Sequence, residues 1–395
     1  MEPADGMRAF RAHPAAEMLS DAEIERTFVD PGGIEEFWRR EYLRGFVDRG
    51  GGKIKFLRGG PGAGKTHLLA HLGLTAARDG FLAARVDAHA DRLASIDELY
   101  RAVARTVDWD GLFDRCALSL IRNGLGYRDY SLSASEFRSW AESAHGLSAV
   151  SLMTDIRHAA DHFVKELDIC APLREPVRAA VARRTGTEAA DDGALFRWLR
   201  GERLTRPERR GIVVPANVDA RNARAMLLSL AVLARAASYR GLLILVDRAE
   251  VMAHAIRQDG VPYYTRGTRE QAYEMWRELI DGSHLSPYMF AVVAGGVDLF
   301  ENQKNGLQAY QALWHRIQPE IETAQANRFH DIVDLDRMWR QGDDLARLAE
   351  RWAASAGGVE LNGRVVAASA GSYGLDWASP RTAVFKALPA AMGDV

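Results

Sequence analysis

Residues Gly59, Gly60, Pro61, Gly62, Ala63, Gly64, Lys65 and Thr66 spell a complete G-x-x-x-x-G-K-[ST] phosphate loop, and no other stretch restricts the fold of this chain as sharply. Such a loop is made of backbone N–H groups that converge on one point. Glycine permits this by tolerating positive φ and by leaving room for phosphate oxygens. Lys65 adds a fixed positive charge for the β- and γ-phosphates, and the Thr66 hydroxyl is placed to ligate Mg²⁺. A strand must precede the loop and a helix must follow it. Residues 54–58 read as that strand, and the apolar spacing across 67–78 reads as a helix whose positive N-terminus faces the phosphates. The chain is therefore expected to bind a nucleoside triphosphate through residues 59 to 67, including His67.

At 395 residues the chain exceeds one ordinary domain, so a nucleotide-binding core with appended units is expected. A formal charge of −2 gives no global attraction to nucleic acid or membrane, and any DNA contact has to come from a local patch. Cys116 and Cys170 are the only cysteines, too few for a cysteine metal cluster, and the 11 histidines show no H-E-x-x-H spacing. No apolar run is long enough to cross a bilayer, and the first residues lack a basic-then-apolar leader, so a cytoplasmic protein with no membrane partner is expected.

Along the chain, residues 1–50 read as an amphipathic helical segment, with Ile34, Phe37, Trp38, Tyr42 and Leu43 on one stripe. A second strand is expected at 81–87. More than 100 residues of helical periodicity follow, with helices at 96–107, 109–123, 134–144, 151–167 and 176–184, so 96–214 is expected to be a helical insertion. The core resumes with a helix at 223–240, an unbroken apolar strand at 241–247, a helix at 269–280 and a strand at 288–294. The core is thus assigned to 51–95 and 215–336. Helices at 343–354, 363–370 and 380–392 would form a C-terminal helical lid over 337–395. The alternation predicts an α/β fold with a parallel sheet. Between Arg174 and Arg210 ten arginines stand against six acids, which fits either a solvated helix face or a DNA or protein surface, with Arg197, Arg200 and Arg203 as phosphate contacts and Trp198 for stacking.

Asp247 ends the apolar strand, which puts its carboxylate at the sheet edge beside the phosphate loop, where it can hold Mg²⁺ with Thr66. The next residue is Arg248, a cation that cannot act as a base. Glu250 is the nearest carboxylate beyond it, and capping or water activation are both open to it.

Several stretches carry a family likeness: Phe196 to Glu202 (FRWLRGE), Arg240 to Glu250 (RGLLILVDRAE), and Val293 to Ile317 with its G-L-x-x-Y-x-x-L-x-x-R-I run from Gly306. They resemble the ATP-binding P-loop proteins of BREX-type phage-defence systems, a family related to origin-recognition-like AAA+ ATPases, over about residues 30 to 390. The resemblance implies an AAA+-like P-loop NTPase fold, ATP with Mg²⁺, other phage-defence proteins as partners, and a homo-oligomer whose assembly with partners or DNA follows nucleotide state. It also implies that Arg316 is an arginine finger and Arg381 a second sensor in the lid, while Gly295 and Gly296 stand where a first sensor would be polar. The family order is Asp-Glu-Ala-Glu where this chain has Asp247, Arg248, Ala249 and Glu250. An ATPase using Glu250, a nucleotide-gated scaffold without turnover, and a DNA-loading ATPase are the readings these residues leave open.

Overall fold

The computed structural model describes residues 19–187, 192–254, 261, 263–318, 327–339, 343–357, 362–363, 366 and 379–393. Its center is a five-stranded parallel sheet of β1 (Gly52–Arg58), β2 (Leu82–Asp87), β3 (Leu242–Asp247), β4 (Met289–Gly295) and β5 (Ile332–Asp334), in the order β2-β3-β4-β1-β5. β4 thus lies between the strand that leads into the phosphate loop and the strand that ends in Asp247. Register runs from Gly52↔Met289 to Arg58↔Gly295 in the β1–β4 pair, and ends at Asp87↔Asp247 in the β2–β3 pair. Every residue of β3 and β4 is buried, as the unbroken apolar runs require of strands covered on both faces.

The two faces bury separate cores. On one, Leu57, Leu243, Leu245, Phe290 and Val292 pack against α2 (Lys65–Arg78) through Leu68, Leu69 and Leu72, and against Ile34, Phe37, Trp38 and Leu43 of the N-terminal segment. That segment is not one helix. A short helix α1 (Asp21–Thr27) is capped by a reciprocal Ser20–Glu23 pair, and the left-handed Gly32 and Gly33 then break the path before one α-helical turn (Ile34–Phe37) that widens into a π-helix, Trp38–Arg44. Residues 1–18 lie outside the described part. Gly73 of α2 lets the helix settle on the sheet, since a Cβ there would come 3.2 Å from the Leu245 methyl. Leu245→Ala, which removes a fully buried side chain at this seam, is expected to cost about 3 kcal/mol in urea unfolding.

The other face, with Ile54, Phe56, Ile244, Val246, Ala291 and Val293, shares one continuous core with the helices that follow β2: α3 (Ile96–Thr106), α4 (Trp109–Ser119), α5 (Phe137–His145), α6 (Ala149–Glu166), α7 (Ala171–Ala182) and α8 (Gly193–Leu199), and then α9 (Ala223–Ala236) and α10 (Arg266–Asp281). The predicted helix at 176–184 begins five residues earlier, because Pro172 rather than Pro176 occupies its first turn, where proline is tolerated. The predicted helix at 223–240 stops at Ala236, and Ser238 turns left-handed at φ 63°. β5 lies outside the strands expected from the sequence: three residues with one buried side chain, Val333, carry no periodicity to read. The chain then forms α11 (Gln311–Ile317), α12 (Leu335–Trp339), α13 (Asp344–Gly357) and α14 (Pro380–Gly393). The helix expected at 363–370 lies outside the described residues apart from Gly363 and Val366. Among the described residues no helix is long and apolar enough to cross a membrane.

Candidate functional site

The phosphate loop joins β1 to α2 at the C-terminal edge of the sheet. Gly62 and Gly64 take φ of 77° and 93°, the left-handed region that side chains resist. Lys65 arches back over the loop, its Nζ donating to the carbonyls of Gly59 at 2.8 Å and Gly60 at 3.2 Å. Its ammonium therefore stays within the turn made by 59 to 64. The Asp247 carboxylate accepts the Arg248 amide at 2.9 Å and lies beside the Thr66 hydroxyl, which acts to lower its pKa. Asp247 is buried, and desolvation together with nearby Glu250 pushes its carboxyl upward against the lowering by Thr66, the Arg248 amide and Lys65. No group of three or more His, Cys, Asp or Glu ligands occurs among the described residues. Thr66 and Asp247 offer two neighboring hard oxygens, a donor set that fits Mg²⁺, which keeps waters and takes phosphate oxygens for its remaining positions.

Around this pair the remaining predicted residues divide. Arg248 is left-handed at φ 57°, and its guanidinium reaches across the sheet edge to both carboxylate oxygens of Asp87, with Nε at 2.7 Å. Asp87 is the register partner of Asp247, so β2 and β3 end side by side in different roles: one acid holds the Arg248 guanidinium, the other accepts the Arg248 amide beside Thr66. Glu250 accepts the Gly296 N–H at 3.0 Å, just before the short helix Val297–Glu301, while the Gly295 carbonyl accepts the Gly59 N–H at 3.4 Å. Gly295 and Gly296 thus make backbone contacts here, to Gly59 and Glu250.

Arg381 meets the loop directly. It donates to the Gly62 carbonyl at 3.0 Å and lies over the Phe385 ring at 4.6 Å, and desolvation pushes its guanidinium down to about 10, still charged at neutral pH. Arg316 is elsewhere engaged, paired with Asp281 and donating to the Ala312 carbonyl at 2.6 Å.

The His67 side chain turns away from the loop into the N-terminal segment, its Nε2 lying 3.2 Å from the Ile24 carbonyl and 3.4 Å from the Thr27 hydroxyl. Desolvation, helped by the charge of Arg381, pushes its pKa down to about 3 from 6.5. The unfolded chain is then the better proton acceptor between these values, so the stability His67 contributes is complete above about pH 6.5 and falls as pH drops toward 3. Asp30, raised to about 6 by burial, opposes this over its own window, holding a proton in the fold that it loses as pH rises. His67→Gln is expected to shrink the drop in urea midpoint between about pH 7 and pH 5. An undiminished drop would count against the assignment.

The basic run corrects one expectation. Trp198 is fully buried, its indole donating to the Ala216 carbonyl at 2.9 Å, so it has no face to stack on a base. Helical spacing puts it on the same face as the buried Leu195 and Leu199, which makes this indole a core residue. Arg197 pairs with Glu202 and Glu208, while Arg203 is exposed and Arg200 half-buried.

Four further contacts around the site carry no contiguous signal. Asp336 accepts the Gly60 N–H at 2.6 Å, the Trp339 indole donates to the Ala63 carbonyl at 2.7 Å, Thr382 donates to the Pro61 carbonyl at 3.1 Å, and Asp87 holds Arg248. Only Thr382 has a pointer in the sequence, as the neighbor of Arg381.

The family model of BREX system ATP-binding proteins BrxC/D matches residues 44–351. No curated protein matches the chain, and no solved structure does. The matched span takes in the phosphate loop, Asp247, every strand of the sheet and the helices that follow β2, and this chain belongs to the BREX system ATP-binding protein family.

Proposed function

We propose that the chain holds Mg–ATP in the loop of residues 59 to 66, and that nucleotide state controls its assembly with other components of a phage-defence system. The observation that carries this is the arch of Lys65 over the loop, with Nζ on the Gly59 and Gly60 carbonyls, at the sheet end where Thr66 opens α2 and Asp247 closes β3. An AAA+-like core is supported by the placing of β4 between β1 and β3, and a lid role for the C-terminal helices by the hold of Arg381 on Gly62. In this reading the loop amides and Lys65 bind the phosphates, Thr66 and Asp247 orient the metal, and Arg381 reads the lid position. Arg316 would serve a neighboring protomer of a homo-oligomer after leaving Asp281. Titration of the intact protein with ATP, with and without Mg²⁺, tests the core of it: micromolar binding that weakens without the metal is expected, and no binding overturns it.

Arg248 favors a second reading, a nucleotide-gated scaffold without turnover, because a bidentate ion pair with Asp87 occupies the position from which a carboxylate would polarize water. Phosphate release separates the two. Turnover lost in Glu250→Gln and kept in Arg248→Ala supports the ATPase; no release above background, alone or with DNA, supports the scaffold. A DNA-loading role through Arg197, Arg200 and Arg203 would give salt-dependent binding that falls when these three are neutralized.

A further inference from the structure

Four consecutive loop residues each take one partner from the C-terminal helices: Gly60 from Asp336, Pro61 from Thr382, Gly62 from Arg381 and Ala63 from Trp339. The first and last of these have a consequence for the inside of the loop. A trans peptide is planar, with its C=O and N–H on opposite sides. Holding the Gly60 N–H outward on Asp336 therefore turns the Gly59 carbonyl inward, where it receives the Lys65 ammonium at 2.8 Å. Holding the Ala63 carbonyl outward on the Trp339 indole likewise turns the Gly64 N–H inward. The Gly60 amide is the sole hydrogen-bond partner that the Asp336 carboxylate shows here, because its other oxygen, Oδ1, is buried with none among the described residues. Both residues belong to the five-residue helix α12, which is fixed to the core by Leu335 and Met338, buried in the cluster that holds Leu57 and Ala63.

We propose that Asp336 and Trp339 are positioning residues for the phosphate loop, setting from outside the peptide planes that aim Lys65 and the Gly64 amide at a triphosphate. The coupling is reciprocal: a nucleotide that prefers this loop conformation also holds α12, and with it the start of the C-terminal helices, in place. The inference rests on the nucleotide reading above.

Three variants of the full chain test it by nucleotide titration, each alongside thermal unfolding without nucleotide. Trp339→Phe removes the indole donor and keeps a ring in the same slot. Asp336→Ala removes the acceptor, and Asp336→Asn keeps one. The expected result is a Kd raised roughly 10-fold in Trp339→Phe and Asp336→Ala, with Asp336→Asn within about 3-fold of the parent, each tenfold step being the size of one good hydrogen bond. Parent-like binding in the first two overturns the proposal, as does an Asp336→Asn variant that loses as much as Asp336→Ala. Should Asp336→Ala not fold, Trp339→Phe decides alone. If the parent chain binds no ATP, the nucleotide reading itself has failed, a result distinct from a parent that binds and variants that bind equally.

Discussion

Lys65→Ala is expected to abolish measurable ATP binding without unfolding the protein. The side chain is half-buried, and its polar contacts are with the loop it crosses, at Gly59 and Gly60. Removing it takes away the ammonium that lies inside the turn and that the backbone amides cannot replace. Charge-assisted contacts of this kind are worth about 3 kcal/mol, or roughly a 100-fold loss of affinity, and more where two phosphates share the charge. Calorimetric titration of parent and variant reads this directly. Unchanged thermal unfolding without nucleotide would show that binding, not folding, was lost. Retained micromolar affinity would remove Lys65 from the site.

The second large effect concerns stability. Trp198→Ala should destabilize the protein by about 4 kcal/mol, the range for deleting a fully buried indole. The ring is enclosed by the core that joins the helices after β2 to the sheet, and its one polar atom is matched to the Ala216 carbonyl. The variant therefore loses dispersion contacts and leaves an acceptor unmatched. Urea denaturation is the measurement. A change below about 1 kcal/mol would mean that the site collapses freely, contrary to the dense packing around it.

These two residues illustrate what can be read from a sequence and what cannot. The phosphate loop is legible because its chemistry is contiguous: eight adjacent residues carry the turn, the charge and the hydroxyl. β3 and β4 are legible because burial on both faces leaves an unbroken apolar run, and Asp247 stands out as the acid that ends one. Trp198 misleads because its arginine-rich neighborhood suggests a charged surface, whereas the tryptophan between the arginines faces inward. Asp336 and Trp339 leave no trace at all, since they reach the loop across 276 positions and lie in a segment with no periodicity. Glu250 and Arg248 are recognizable as a departure from pattern, but the partners that fix them, Gly296 and Asp87, depend on how separate strands are aligned.

The strand order has a further consequence for synthesis. β1 is made early, yet both its neighbors, β4 and β5, come from beyond residue 288. A nascent chain carrying the phosphate loop has nowhere to seat it until synthesis has passed residue 288, and the long-range parallel pairing it awaits is intrinsically slow. Truncated products cut before β4 should accordingly emerge as chaperone clients rather than as independent nucleotide binders.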